Sequence, residues 1–336
     1  MIRIGIICPS EIAFRRFLPS LKKAADFQYV GVAVATREEF VGASNEILVK
    51  EREKAQAFVE NHGGKIFEGY GALIRSDEID ALYVPLPPAL HFKWAKMALE
   101  NGKHVLVEKP STTCFADTQA LVSLAAEKKL ALHENYMFVF HKQMAAIDKI
   151  VKSGEIGDVR LYRVSFGFPR RDARDFRYNK ALGGGALLDA GGYTMKLASE
   201  LLCGDVRLRA ASAGYVGGFE VDMYGSATLE DGKGAVAQVA FGMDNDYKCD
   251  LEIWGSKGTL TTGRILTAPS GYEPSYTIKK NQEFTEGKLP VDDAFLGSIR
   301  HFGACVVDDE VRNGNYENLL RQERLVEEFK KQSGMS

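Results

Sequence analysis

The first part of the chain alternates short apolar runs with stretches of helical periodicity. Apolar runs predict strands at 2–8, 28–36, 79–87, 104–107 and 130–136. Helical patterns lie between them at 11–25, 46–61, 91–102 and 114–128. Strands that are apolar on both faces and separated by helices indicate βαβ units and a parallel sheet. The pattern therefore predicts a doubly wound α/β fold, which binds its ligand beyond the carboxyl ends of the strands.

The pattern changes at about residue 157. Strand-like segments such as DVRLYRVSFGF, YGSATLEDGKGAVAQVAFGM and YKCDLEIWGSKGTLTTG are joined by turns rich in Gly and Asp, and helical patterns return at 292–309 and 315–332. These features predict an α+β domain with a large, mostly antiparallel open sheet. We place the two domains at 1–131 and 132–336.

Composition excludes several classes of protein. A length of 336 residues suits two domains, and a net charge of −2 gives no attraction for nucleic acid or an anionic membrane. No apolar run is long enough to span a membrane, and the start of the chain does not have the pattern of a signal peptide. The five cysteines lack C-x-x-C spacing, which favours reduced thiols in a cytoplasmic protein over disulfides or a zinc site.

The loop after the first predicted strand reads GIICPSEIA. A dinucleotide fingerprint, G-x-G-x-x-G/A, would fall on Cys8, Ser10 and Ala13. These small residues would let the backbone approach a pyrophosphate at the N-terminus of a helix, and Ser10 could cap that helix. The alternative is an ordinary tight turn. The same alternatives hold for Cys8, which is either a reactive thiol shielded by cofactor or an inert buried one.

The second predicted strand ends in AVATREEF. NAD-preferring sites place a carboxylate here for the ribose 2′-hydroxyl, whereas an arginine accommodates the 2′-phosphate of NADP. Thr36 and Arg37 occupy this point, and the side chain of Glu38 can turn away. We predict NADP(H), with NAD(H) as the alternative cofactor. A solvated arginine without a ligand is the competing interpretation.

Longer segments carry a family resemblance along nearly the whole chain. They are GYGALIRSDEIDALYVPLPPALHFKWAKMALENGKHVLVEKP, HENYMFVFHKQ, SGEIGDVR and DFRYNKALGGGALLDAGGY. In their order and spacing the chain resembles the glucose–fructose oxidoreductase/inositol dehydrogenase/MocA (Gfo/Idh/MocA) family. Within it, YVPLPPALH, ENYMF, AFGMDNDY and GSKGTL are most similar to nucleotide-sugar 3-ketoreductases. Two features depart from the family pattern: the altered glycine fingerprint, and Val139 where many relatives have an arginine.

The resemblance implies a nicotinamide-binding Rossmann domain followed by a domain for substrate binding and oligomerisation. It implies a homodimer or homotetramer formed through the C-terminal sheet, and a sugar or nucleotide sugar as substrate. The lysine of E-K-P, here Lys109, is catalytic in relatives, with a cis bond before Pro110. A salt bridge between Glu108 and Lys109 at a strand end is the alternative interpretation.

The segment GGGALLDAGGY supplies the second part of the expected chemistry. On a helix, Asp189 and Tyr193 would share a face, and relatives place a His or Tyr acid/base at the position of Tyr193. A tyrosine with its reference pKa of about 10 suits the protonation of an alkoxide, helped by a lysine ammonium. Asp189 would orient the substrate or the lysine. The alternative is a core-packed tyrosine with a capping aspartate.

These inferences define a set of candidate residues. The catalytic residues are Lys109, Tyr193 and Asp189, and no metal is required. Cofactor binding is assigned to Cys8, Ser10, Glu11, Ile12, Thr36, Arg37, Leu86, Pro87, His91, Glu108 and Lys109. Substrate binding is assigned to Lys109, Tyr136, Phe168, Arg177, Asp189 and Tyr193. A structural role competes with a site role for His91, and the four arginines of FPRRDARDFRY either bind a diphosphate or pair with neighbouring aspartates.

We expect an NADP(H)-dependent oxidoreductase that transfers a hydride to or from a sugar carbon, favoured as a ketosugar reductase. An aldose, polyol or trans-dihydrodiol dehydrogenase is the alternative enzyme. A non-catalytic dinucleotide sensor would keep the Rossmann half but lose the acid/base residues, all three of which are present.

Overall fold

The computed structural model describes residues 1–40, 42–202 and 204–335. Six parallel strands form one sheet in the order β3-β2-β1-β4-β5-β6. These strands are β1 (Ile2–Ile6), β2 (Phe27–Val34), β3 (Lys65–Glu68), β4 (Ala81–Val84), β5 (His104–Val107) and β6 (Leu132–Glu134). The connecting helices are α1 (Leu18–Leu21), α2 (Asn45–His62), α3 (Tyr70–Arg75), α4 (Pro88–Glu100) and α5 (Phe115–Lys128). This sheet confirms the predicted doubly wound Rossmann fold.

The first predicted helix, 11–25, is shorter and less regular than its pattern indicates. A π-helical turn covers Ala13–Phe17, and α1 ends at Leu21. Pro19 lies inside this region and has no N–H to donate, so an uninterrupted α-helical ladder cannot run through it.

The second sheet has eight strands in the order β14-β13-β12-β11-β7-β10-β9-β8. Its strands are β7 (Val159–Gly167), β8 (Arg207–Tyr215), β9 (Asp222–Glu230), β10 (Val236–Gly242), β11 (Lys248–Gly255), β12 (Thr259–Gly263), β13 (Ser275–Lys280) and β14 (Glu283–Lys288). Every neighbouring pair is antiparallel except β7 and β10. The predicted large, mostly antiparallel sheet is therefore confirmed.

Four further helices complete the described chain: α6 (Lys142–Lys152), α7 (Gly192–Leu201), α8 (Ala294–Val307) and α9 (Asp309–Ser333). Short 3₁₀ turns cover Met137–Phe140, Phe176–Tyr178 and Lys180–Leu182, and a π-helical turn at Leu187–Gly191 leads into α7. The sequence patterns did not predict α6 or the β13–β14 hairpin. That hairpin turns at Asn281, which has φ 53°, a backbone region that asparagine tolerates better than most residues.

The chain forms two compact units. Unit 1 contains Met1–Asn135 together with Phe295–Leu320, and unit 2 contains Tyr136–Ala294 and the end of the chain from Arg321. The division at 131/132 stays a prediction, but it treats 295–320 as part of the C-terminal domain. In the structure this segment folds with unit 1, because Tyr316 and Leu319 pack into the core of the parallel sheet. No described helix is long and apolar enough to cross a bilayer.

Candidate active site

The loop after β1 contains the altered fingerprint. Ser10 Oγ accepts a hydrogen bond from the backbone N–H of Ala13 (3.2 Å), so Ser10 does cap the helical turn that follows. Glu11 and Ile12 are exposed at this turn. Cys8 is only 8% exposed, and its Sγ lies 3.5 Å from the carbonyl oxygen of Pro85. Burial raises the pKa of the Cys8 thiol, so the structure favours the inert thiol over the reactive one.

The end of β2 presents Arg37 without a competing carboxylate. Arg37 is exposed, and its guanidinium contacts the side chain of Asn45 at the start of α2. Glu39 Oε2 accepts from the backbone N–H groups of Thr36 (3.0 Å) and Tyr70 (2.8 Å), and its Oε1 accepts from that of Gly71 (2.8 Å). The carboxylate of Glu39 is therefore turned into the fold.

Glu38 also turns back on its own loop. Hydrogen bonds from its backbone N–H and from the side chain of Thr36 lower the pKa of Glu38. A cationic side chain beside the N-terminus of α2 fits the 2′-phosphate of NADP better than the bare ribose hydroxyl of NAD.

His91 joins two loops of the predicted cofactor site. Its Nδ1 lies 2.7 Å from the carbonyl oxygen of Pro110, and its Nε2 lies 2.7 Å from that of Leu86. Burial lowers the pKa of His91 to about 4, although both carbonyl contacts favour the charged ring, and the charge of Lys109 lowers it further. His91 is fully buried, so these contacts favour the structural role. The neighbouring Pro87 is half-buried at the start of α4.

The turn that follows β5 contains the E-K-P motif. Glu108 Oε1 accepts hydrogen bonds from the Tyr83 hydroxyl (2.6 Å) and from Asn135 Nδ2 (2.6 Å). Burial raises the pKa of Glu108, and these two hydrogen bonds oppose the effect. The positive charge of Lys109 also lowers the pKa of Glu108. The Lys109–Pro110 peptide is cis, as the resemblance implies.

In unit 2, Asp189 and Arg177 form an ion pair. Arg177 Nε donates to Asp189 Oδ2 (2.7 Å), and its Nη1 donates to Asp175 Oδ1 (3.1 Å). Both members of the Asp189–Arg177 pair are mostly buried, at 14% and 21% side-chain exposure. The pair therefore presents a fixed, partly shielded carboxylate and guanidinium rather than two mobile surface charges.

The glycine run before Asp189 allows a tight π-helical turn. Gly185 has φ 122°, and a Cβ there would lie 2.3 Å from Asp222 Oδ1. Asp222 Oδ2 accepts from the backbone N–H of Leu187 (2.6 Å) at the start of the turn, and burial raises the pKa of Asp222 to about 6. A Cβ at Gly184 would lie 2.4 Å from the carbonyl oxygen of Arg177. These glycines let the turn carry Asp189 directly against its partner arginine.

Tyr193 lies in an aromatic cluster of unit 2. Its ring centroid is 5.3 Å from Tyr136, 5.9 Å from Phe138 and 5.4 Å from Phe166. The ring is 8% exposed, and its hydroxyl lies 3.8 Å from the sulfur of Met137. The ring packing fixes the direction of the hydroxyl group, as an acid/base tyrosine requires.

The other predicted substrate residues adjoin the same cluster. Phe168 packs edge-on against Phe166 at 5.8 Å. Gly192, at the start of α7, leaves room for the Tyr136 hydroxyl, since a Cβ there would lie 2.2 Å from that oxygen. Unit 2 therefore brings Tyr136, Phe168 and Tyr193 into one continuous aromatic set.

The arginine-rich loop is largely paired with aspartates. Arg170 forms a bidentate pair with Asp244 (2.7 and 2.7 Å), and Arg174 pairs with Asp172 (3.1 Å). Arg171 instead lies over the ring of Phe168, 5.1 Å from its centroid. These pairs favour the self-paired loop over an open diphosphate site.

Sequence reasoning missed several residues that hold the candidate site in place. They are Glu39, Tyr83, Asn135 and Asp222. Asp175 does not belong with them, because its alternation with arginines in RRDARDFR already indicated local pairing. Each of the missed residues contacts a group at least 25 positions away along the chain, and local sequence patterns do not show such contacts.

Comparison with known proteins identifies the family of both domains. Residues 2–136 match the model of an oxidoreductase family with an NAD-binding Rossmann fold, and residues 144–261 match the Gfo/Idh/MocA C-terminal domain. The chain is 41% identical to a dTDP-3,4-didehydro-2,6-dideoxy-α-D-glucose 3-reductase of Streptomyces violaceoruber, over 97% of this chain and 94% of that protein.

Solved structures agree with the sequence comparison. KijD10, a 3-ketoreductase from Actinomadura kijaniata solved with NADP and TDP-benzene, superposes with a TM-score of 0.90 at 36% identity, covering 98% of this chain and 97% of that one. An aldose-aldose oxidoreductase from Caulobacter crescentus shares the fold at 20% identity, with a TM-score of 0.85 over 99% of this chain and 97% of that one. On this full-length similarity, the chain belongs to the Gfo/Idh/MocA family of oxidoreductases.

Proposed function

We propose that this protein is an NADPH-dependent reductase of a keto group on a dTDP-linked deoxysugar. The observation that carries the proposal is the similarity, over almost the full length of both chains, to a 3-reductase of such a sugar. The cofactor prediction agrees with the NADP present in the structure of the related ketoreductase. The nicotinamide supplies the hydride, and the chain supplies binding, orientation and the proton.

Each unit contributes its own residues to this proposal. In unit 1, the small residues of the loop after β1 would hold the pyrophosphate, and Arg37 would pair with the 2′-phosphate. Lys109 would donate a hydrogen bond to the substrate oxygen. Glu38 is hydrogen-bonded within its own loop and Glu39 to backbone N–H groups of Thr36, Tyr70 and Gly71, and these contacts support NADP over NAD.

In unit 2, Tyr193 would donate the proton to the oxygen of the reduced carbon. Its packing among aromatic rings supports this role, because the hydroxyl keeps a fixed direction. Asp189, held by Arg177, would accept a hydrogen bond from a substrate hydroxyl.

The experiment that tests the proposal measures NADPH oxidation with a dTDP-linked 3-ketosugar and with the same sugar without its nucleotide. It also measures NADP reduction with unmodified aldoses and with a trans-dihydrodiol. We expect turnover with the dTDP-linked ketosugar and little with the free sugar. Oxidation of aldoses or of a trans-dihydrodiol in the absence of ketoreductase activity would replace the proposal with the dehydrogenase alternative. Cofactor binding without turnover of any of these substrates would favour the alternative of a non-catalytic dinucleotide sensor.

We further propose that the chain forms a homo-oligomer through the open face of its eight-stranded sheet. Large side chains are exposed on strands of this sheet, with Tyr224 at 49% and Trp254 at 50% exposure. On the same face, Arg163 of β7 donates hydrogen bonds to Gln238 of β10 (3.3 Å) and to Glu252 of β11 (2.8 Å). A cytoplasmic location stays a prediction from the cysteine pattern.

A further inference from the structure

A series of hydrogen-bonded polar side chains, the His133–Glu108 network, runs from the E-K-P turn through the interior of unit 1. Asn135 Nδ2 donates to Glu108 Oε1 (2.6 Å), and Ser298 Oγ donates to Asn135 Oδ1 (2.7 Å). His133 Nε2 lies 2.9 Å from Ser298 Oγ, and its Nδ1 lies 3.0 Å from Asn315 Oδ1. His133, Asn135 and Ser298 are 2%, 1% and 0% exposed. The proposed reaction gives no role to His133, Asn135, Ser298 or Asn315.

At one end of the His133–Glu108 network, Asn315 determines that His133 Nδ1 carries a proton. Asn315 Nδ2 donates to the carbonyl oxygen of Leu132 (2.6 Å). Turning the amide of Asn315 would place two oxygens against each other, so its Oδ1 must face His133. An amide oxygen only accepts hydrogen bonds, and His133 Nδ1 therefore carries a proton.

At the other end of the network, Glu108 determines that His133 Nε2 carries a proton. An ionised Glu108 only accepts, so Asn135 turns its amide nitrogen toward Glu108 and its oxygen toward Ser298. The single hydroxyl proton of Ser298 is then donated to Asn135. The Ser298 oxygen can only accept from His133, and a ring that donates from both nitrogens is an imidazolium.

We propose that His133 is an imidazolium whose charge is matched, through Ser298 and Asn135, by the carboxylate of Glu108. Isolated buried charges are strongly unfavourable, whereas opposite charges joined by satisfied hydrogen bonds are tolerated. His133 is thus a positioning residue: it keeps Glu108 ionised and its side chain fixed, immediately before Lys109. The inference goes beyond the proposed function, and its test does not require the reaction.

Two other titratable side chains lie close to His133. His301 of α8 lies with its ring centroid 5.3 Å away, tilted by 56°. Glu134, the next residue of β6, points to the opposite face of the strand, where it accepts from the backbone N–H of Ser111 (2.7 Å). The His133–Glu108 network connects His133 to the carboxylate of Glu108 through Ser298 and Asn135.

His91 provides a contrast within the same unit. It too is fully buried with both ring nitrogens near acceptors, but those acceptors are backbone carbonyls and its charged neighbour is Lys109. The two carbonyls favour a doubly protonated ring at His91 too, but burial and the charge of Lys109 outweigh them and lower its pKa to about 4. His133 differs because its hydrogen bonds lead to the carboxylate of Glu108, so the ring signal of His91 shows whether the carboxylate, and not the acceptors alone, sets the charge.

The test is a ¹⁵N–¹H spectrum of the full chain with ¹⁵N-labelled histidine rings, near neutral pH and without cofactor. It distinguishes a ring with two protonated nitrogens from a ring with one bare nitrogen. The His133 signal is assigned by its loss in His133→Gln. We expect two protonated nitrogens for His133 and one bare nitrogen for His91.

Variants test the link to Glu108. Glu108→Gln keeps the shape but removes the negative charge, and the pKa of His133 should fall by about one to three units. Ser298→Ala should lower it as well, whereas Ser20→Ala, which removes another buried hydroxyl of unit 1, should not. The proposal is overturned by a bare nitrogen on His133 in the unmodified protein, which would mean that Glu108 carries the proton and the Asn135 amide is turned. It is also overturned by an unchanged His133 pKa in both Glu108→Gln and Ser298→Ala.

Discussion

At the scale of single residues, the cofactor preference depends on which polar atoms are already occupied. All three acidic or basic side chains after β2 are accounted for: Glu39 holds backbone N–H groups, Glu38 turns to Thr36, and Arg37 extends from the surface. Residue type alone could not separate these roles, because two glutamates and one arginine stand side by side. The contacts leave the arginine as the group available to a 2′-phosphate.

Arg37→Ala should therefore weaken NADPH binding and leave NADH binding nearly unchanged. A charge-assisted hydrogen-bonded pair contributes about 1.5–3 kcal/mol, so the NADPH preference should fall by about ten- to a hundredfold. Titration of both cofactors into the variant measures this ratio. Arg52→Ala, which removes another exposed arginine of unit 1, is the control. An unchanged NADPH/NADH ratio in Arg37→Ala would rule out the assignment.

Tyr193→Phe should keep the ring packing and remove the proton donor. General acid catalysis contributes about 10²–10⁴-fold, and the single-turnover rate of NADPH oxidation should fall by that factor while NADPH affinity stays the same. Tyr162→Phe, at the same 8% exposure in unit 2, should retain the rate. A normal rate in Tyr193→Phe would mean that another group delivers the proton.

Cys8 should react slowly with alkylating reagents, because it is buried and its thiol pKa is raised. Cys114 is half-buried and should be labelled first among the four described cysteines. Peptide mass mapping over time gives the order of labelling. Faster labelling of Cys8, with protection by NADP, would restore the reactive-thiol hypothesis. Cys203 lies outside the described residues.

At the scale of elements, the turn before α7 depends on a buried carboxyl group. Asp222, 3% exposed, holds the first backbone N–H of the π-helical turn that carries Asp189. Its pKa is raised from 3.8 to about 6 in the folded chain, so the folded state favours the protonated form. The stabilisation is complete below about pH 4 and is lost as the pH rises through about 6.

Asp222→Asn should therefore become relatively more stable than the unmodified protein as the pH rises. A difference of about two pKa units corresponds to about 3 kcal/mol, and the variant should gain about that much between about pH 4 and pH 7. Denaturant unfolding of both proteins across this range measures the difference. A constant difference at every pH would show that Asp222 has an ordinary pKa in the folded chain.

At the scale of the whole molecule, the open face of the eight-stranded sheet is the surface on which the proposed oligomer depends. Ala240 and Ser226 face each other across β10 and β9 and are both exposed. Ala240→Arg should place a bulky charge in the interface and shift the protein toward monomer in light scattering. Val49→Arg, at an exposed position of α2, should leave the mass unchanged. A monomeric unmodified protein would refute the oligomer.

The sequence by itself determined the two sheets and most of the strands that form them. Buried parallel strands and half-buried antiparallel strands have different apolar periods, and these periods are local properties of the chain. The residue at which β5 ends could also be predicted from the local pattern, and with it the position of Lys109 at the carboxyl edge of the sheet. The capping role of Ser10 could also be predicted, since it involves residues three positions apart.

Only the tertiary structure decided which distant side chains meet. It brought the helical segment Phe295–Leu320 back into unit 1 and placed Ser298 beside His133, 165 positions away. It also set the π-helical turn, because the close approach of Asp222 to Gly185 is a contact between separate elements. Local periodicity states that a residue is buried, but it does not state against what. The partners of a buried polar group, and with them its charge, are therefore fixed only when the chain has folded.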